Sequence, residues 1–327
     1  MKAKSFFGPL RLVAAALTLS ASTAHAVPML TQAGIDAGFT LSTFVSGLPG
    51  TSFGYEALGI AVNSDGNVIV NNSSNQRNYV FTNVDGQTAA SAISSTPFTP
   101  FPASFAVSNG TVYGSGGGFY KMNNNGSIAT NYSGLIPASY GMWTNPSNGH
   151  IIAISTSSGL IDIDVSGATP SYMVINSSVS GDGVTVSPDG TRAYTSSGFV
   201  VDLGSKAIIG NFSVSGADGM GIITSSNALN GKIIVNTTNG SIVMVDQTTY
   251  LQTIIASGGG YGDFTGADPT TGTLLLSSAN AVVRLGCGGG CGIGSAPPPS
   301  GNVPEPTTVS LLAVALVGMT LARRRKS

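Results

Sequence analysis

Charge is scarce in this chain: only 8% of its 327 residues are Asp, Glu, Lys or Arg, and it carries one Trp, two His and two Cys. The polar positions are filled instead by 45 Gly and many Ser, Thr and Asn, a mix that suits turn-dense β-structure and suits long helices poorly. With His150 as the one histidine past the first 26 residues, zinc hydrolysis is disfavoured, and two cysteines cannot complete a four-Cys site. Between Val27 and Val303 six basic residues face thirteen acidic ones, a net of −7, and the six are scattered. Nucleic acid is therefore excluded as a partner, because phosphate neutralisation needs clustered Lys and Arg. What is present in quantity is apolar surface: 42% of residues are hydrophobic, enough to bury a large core. The expected fold class is all-β.

Both ends read as targeting segments and stand outside the fold. Residues 1–26 place Lys2, Lys4 and Arg11 before an apolar stretch over 12–19 and close on Ala24-His25-Ala26, the layout of a secretory signal peptide with Val27 as the mature start. At the other end, Pro304-Glu305-Pro306 precedes an apolar run over 307–322 and the basic cluster Arg323, Arg324, Arg325 and Lys326. As a helix the run spans roughly 24 Å against a hydrocarbon core of roughly 30 Å, so it crosses as a transmembrane helix only with thinning or snorkelling. The basic cluster would stay on the cytoplasmic side and leave the body outside. The two prolines keep Glu305 extended and exposed for processing. These residues closely resemble the PEP-CTERM sorting signal of exported proteins from Gram-negative bacteria that make exopolysaccharide. The resemblance implies an exosortase as partner, transient anchoring in the inner membrane, and final residence in the cell envelope or outside the cell. Residues 289–303, rich in Gly, Pro and Ser, read as a spacer. Where the spacer begins, Cys287 and Cys291 flank three glycines, and in an oxidising compartment a local disulfide is the expected state.

Self-comparison of residues 27–288 exposes a repeat. Six segments share an apolar strand, a tight turn ending in Gly and a second strand, as in "LGIAVNSDGNVIVNNS" and "DGVTVSPDGTRAYTS". Their turn glycines, Gly66, Gly110, Gly149, Gly190, Gly231 and Gly272, are 44, 39, 41, 41 and 41 residues apart. A third strand follows each, then in five of six repeats a fourth, "ASAIS" being the first of these. Four antiparallel strands in about 40 residues make the blade of a β-propeller. The sixth repeat stops at the cysteines without its fourth strand, while "GFTLSTFVSGLPG" stands unused before the first. The pattern therefore predicts six blades, with Phe39–Ser46 completing the last one and closing the ring; a stacked β-solenoid is the competing architecture. The stretch "VTVSPDGTRAYTSS" resembles repeats of the YVTN and surface-layer propellers and, more loosely, gluconolactonase and streptogramin-lyase propellers.

Propeller ligands gather at the axis, near the starts of the innermost strands. Glu56, Tyr140, Asp182, Asp218 and Asp263 precede or open those strands, and four converging carboxylates would repel unless a hard cation such as Ca²⁺ sat among them. Similarity to gluconolactonase and senescence-marker propellers implies metal ligation at Glu56, Asp182 and Asp218, although the Gly-Pro and Trp that follow the family's Glu are absent here. The alternative for each Asp before Gly is turn chemistry. Around Ser52, "GTSFG" matches a nucleophile-elbow pattern without the helix and histidine it requires. Phe98, Phe101 and Phe105 either stack on sugars or cover a sheet edge, Trp143 packs between blades, and His150 falls in a turn. The functional expectation is a non-catalytic binding or scaffold propeller of the cell envelope or matrix, with polysaccharide as its ligand. The alternative is a Ca²⁺-dependent lactonase or lyase held together by Glu56, Asp182, Asp218 and Asp263.

Overall fold

The computed structural model describes residues 27–50, 56–101, 104–287 and 291–293. The segments 1–26 and 304–327, and the run around Ser52, lie outside the described residues. Among the described residues no helix is long and apolar enough to cross a membrane.

Short apolar strands separated by Gly-containing turns fold locally into hairpins, and six sheets result, each built on four antiparallel strands and two of them extended by further short strands. Blade 1 runs through Ala57–Val62, Val68–Asn72, Arg77–Phe81 and Ser94–Pro97. The inner strands of blades 2 to 6 begin at Phe105, Ser139, Val184, Ala217 and Thr265. Each inner strand packs against the inner strand of the next blade, and that of blade 6 returns to blade 1, so the ring is closed. The six turn glycines all adopt a positive φ, between 67° and 77°, which a Cβ would disfavour. One expected strand sits elsewhere. Residues Ala89–Ser91, overlapping the start of the quoted "ASAIS", form a 3₁₀ turn capped by Thr88 and Ser91, and the fourth strand of blade 1 starts only at Ser94, the last residue of that stretch. Ala-Ala-Ser has little strand preference, and the capping hydroxyls offer the backbone a local alternative.

Closure takes the predicted route. Phe39–Ser46 pairs antiparallel with Ala281–Cys287 from Phe39↔Cys287 to Val45↔Val282, with one register shift after Thr43. The clasp extends further than the sequence suggested. Met29–Leu30 pairs with the outer strand of blade 5, and Gln87–Thr88 of blade 1 pairs parallel with Val45 and Ser46. At the far end of the chain, Cys291–Ile293 pairs with residues 223–225, the end of the blade 5 inner strand. Cys287 is disulfide-bonded.

The second strands of blades 1, 3 and 5 are buried throughout, and those of blades 2, 4 and 6 everywhere except their first residue, because neighbouring blades cover both faces. Phe98 and Phe105 join this packing edge to face, at 5.8 Å between ring centroids, while Trp143 is buried on its inner strand. Side-chain amides and hydroxyls also bridge the blades at the turns. Asn145 donates to the Gly190 carbonyl at 3.2 Å and Ser108 to the Gly149 carbonyl at 2.5 Å.

Candidate functional site

The axis presents two different mouths. Near the ends of the inner strands a cavity of about 300 Å³ is lined mainly by apolar side chains, including Ile60, Phe105, Met142 and Trp143. Near their starts lies a smaller pocket of about 160 Å³, lined by Phe101, Tyr140, Asp182, Asp218, Tyr261, Asp263 and Phe264. Three of the four carboxylates singled out in the sequence therefore meet here. Glu56 does not line this pocket; it is buried, and its Oε2 has no hydrogen-bond partner.

The local cause is a bulge together with a missing Cβ. The inner strands of blades 3 and 5 shift register between Ser139 and Met142 and between Ala217 and Met220, which leaves Tyr140-Gly141 and Asp218-Gly219 unpaired at the mouth. A bulge of this kind re-aims a side chain. A Cβ on Gly141 would stand 2.2 Å from the Asp182 carbonyl oxygen, one on Gly183 1.9 Å from that of Asp218, and one on Gly219 1.7 Å from that of Asp263. Each glycine thus lets the next blade's acidic residue approach. Neither Gly183 nor Gly219 has a positive φ, so these Asp-Gly pairs serve close approach rather than a left-handed turn. Hydroxyls hold the backbone in place: Ser196 Oγ accepts from the Asp182 N–H at 2.9 Å, and Ser277 Oγ accepts from the Asp263 N–H at 2.8 Å. Asn236 Nδ2 donates to the Asp263 carbonyl at 3.1 Å.

Asp218 is the electrostatic centre. It is 5% exposed, it accepts from the Tyr261 hydroxyl on Oδ2 at 3.3 Å, and its Oδ1 has no partner. Dehydration, reinforced by the Asp182 charge and only partly offset by Tyr261 and Asp263, pushes its pKa up to about 7. Asp263 is raised as well, by dehydration first and then by Asp218 and Asp182, and dehydration raises Asp182 at the rim. Dehydration and the neighbouring carboxylates also raise the Tyr261 hydroxyl. Among the described residues no Lys, Arg or His lines the pocket. Buried carboxylates without a counter-charge retain protons or attract a cation.

A second depression, of about 500 Å³, opens from the same mouth and shares Tyr140 and Asp182 with the pocket. Ser155, Thr156, Ser157, Ser177, Ser180 and Ser197 give it a hydroxyl-rich wall. Sequence reading missed this groove and missed Tyr261 and Phe264. Tyr261 lies two residues before Asp263 in "GYGDF", and that spacing was the available signal. Phe101 parts company with Phe98 and Phe105: it is 55% exposed and lines the pocket. His150 sits beyond a turn with its Nδ1 2.8 Å from Asp162 and its Nε2 3.6 Å from Asp164. Among the described residues no three His, Cys, Asp or Glu side chains are grouped to hold a metal ion. A Ca²⁺ ion takes six to eight oxygens, and much of this pocket's wall is aromatic, so the residues present do not make a calcium cage.

Comparison with known proteins gives a fold and a tail. Residues 302–326 match the PEP-CTERM protein-sorting motif. No curated protein matches the sequence. Among solved structures, a gluconolactonase from Xanthomonas campestris aligns with a TM-score of 0.51 at 14% identity, covering 80% of this chain and 94% of that one. The β-propeller domain of Cps50 (Swd1) from Myceliophteria thermophila aligns at 0.48 and 10% identity, covering 75% and 99%. The WD40 β-propeller domain of Doa1 aligns at 0.49 and 9% identity, covering 70% and 78%. At 14% identity the likeness to the gluconolactonase is one of fold alone.

Proposed function

We propose that this chain is an exported binding propeller, sorted by an exosortase through its C-terminal motif to the cell envelope or extracellular matrix, where it holds a polysaccharide. The observation that carries the reading is the continuity of the acidic, aromatic pocket with the hydroxyl-lined groove, joined at Tyr140 and Asp182. An aromatic face flanked by hydrogen-bonding groups suits the apolar face and hydroxyl edge of a sugar ring. The groove gives adjoining units of a polymer further hydroxyl partners. The sorting motif at residues 302–326 supports export and processing near Pro304-Glu305-Pro306. On this reading residues 1–26 are removed, 307–322 anchor the chain until it is processed, 323–326 remain cytoplasmic, and Cys287 bridges Cys291.

The test is calorimetric titration of the full chain, in mild detergent, with oligosaccharides drawn from bacterial exopolysaccharides. Tyr140→Ala should weaken binding at least tenfold while leaving the circular dichroism spectrum unchanged. Equal affinity in wild type and variant would place the ligand elsewhere and remove the reading.

A further inference from the structure

We infer that the pocket at Asp218 receives a primary ammonium group, so that the sugar unit it selects is an amino sugar whose nitrogen is unacylated. This rests on the polysaccharide-binding reading above and narrows its ligand class. Three carboxylates from blades 4, 5 and 6 line one pocket that contains no basic side chain. Asp218 and Asp263 interact with each other, yet the cluster is not self-sufficient. Asp218 is almost wholly buried, and its Oδ1, in a residue that lines the pocket, has no partner. A buried acceptor left open in this way costs free energy unless a ligand supplies the donor.

The rest of the wall decides which donor fits. Tyr140, Tyr261, Phe101 and Phe264 surround the acids. A hard divalent cation gains little from ring faces and needs oxygen in nearly every direction, whereas an ammonium ion gains from both carboxylate and ring. Its three N–H donors match Asp218 Oδ1, the Asp182 carboxylate at the rim and the Asp263 carboxylate behind. A hydroxyl in the same position would fill the hydrogen bond but leave the clustered negative charge uncompensated. The raised pKa of Asp218 agrees with a site that awaits a cation. The charged and titratable groups facing it are Asp182, Asp263, Tyr261 and Tyr140. The amine-bearing ring then lies at the Tyr140–Asp182 junction, and its chain continues along the serine-lined groove.

The experiment compares two probes of equal length, a glucosamine oligomer and its fully N-acetylated counterpart, by calorimetry on the full chain at pH 7.5. The amine form should bind at least tenfold more tightly, and Asp218→Asn should abolish that preference. Asp182→Asn changes an exposed side chain, and it should reduce the preference several-fold even if the Asp218 variant fails to fold. Equal binding of both probes, unaffected by either substitution, overturns the ammonium assignment while leaving the polysaccharide reading standing. Binding of neither probe, with other exopolysaccharide fragments also inert, removes both. Calcium that binds the free chain and displaces the amine probe marks a hard-cation site and likewise overturns the assignment.

Discussion

Arg284 carries more interactions than any other charged side chain described. It is 8% exposed, and it donates to Asp268 at 2.5 Å, Asp85 at 2.7 Å, Asn83 at 2.6 Å, Thr273 at 2.9 Å and Thr271 at 3.0 Å. Its guanidinium also stands 5.2 Å from the centroid of the Phe44 ring on the closure strand. One residue of blade 6 thereby holds the loop after the third strand of blade 1, the turn of its own blade and the clasp. Asp268 is fully buried; burial alone would raise its pKa, but Thr271, Asn83 and Arg284 overcome that and lower it. Replacing Arg284 by Ala strands that carboxylate. The expected loss is about 3–5 kcal/mol of unfolding free energy in urea titrations, with partial recovery when Asp268→Asn is added. Additive single effects with no recovery would show that the two do not act as a pair.

At the level of strands and turns, the repeat was open to inspection because it rests on spacing. Turn glycines 41 residues apart, and a sixth repeat short of one strand, leave Phe39–Ser46 as the segment able to complete the ring, and it does so. The first fourth strand was misplaced because Ala-Ala-Ser carries too weak a preference to resist a local cap. The site was half legible. Asp182, Asp218 and Asp263 converge, whereas Glu56 stands two residues ahead of Leu58, the blade 1 counterpart of Asp218 in the pairing register, and does not join them. A sequence cannot display a bulge, and bulges set where these side chains aim. Nor does an Asp-Gly pair announce whether its glycine serves a turn or a close approach. Gly219→Ala tests the second role: the added methyl would meet the Asp263 carbonyl, pushing blade 6 outward at the mouth. Ligand affinity should fall at least tenfold and stability by about 1–3 kcal/mol, as for overpacking at a tight site. Retained affinity would mean the pocket does not depend on that contact.

For the molecule as a whole, opposing groups set the pH of greatest stability. Asp218, Asp182 and Asp263 have raised pKa values in the folded state. Between about pH 4 and pH 7 the folded chain therefore binds more protons than the unfolded one, and stability declines as pH rises through that window. Asp268 and Asp246 are lowered, the latter chiefly by Lys232, and their contribution is lost as pH falls below about 4. Thermal unfolding should consequently peak near pH 4–5 and lie about 5 °C lower at pH 8. Asp218→Asn should flatten the alkaline side, and a profile rising from pH 5 to pH 8 would contradict the assignment.

The strand Cys291–Ile293 has a spatial meaning. It is attached to residues 223–225, whereas Asp218 occupies the start of the same inner strand, roughly 17 Å away at 3.3 Å per residue. The last described stretch before the sorting motif thus adheres to the greasy rear of the wheel. On the proposed reading, a molecule tethered through its C-terminal tail would be gripped from behind, its acidic front left clear to meet polymer arriving from the surrounding medium.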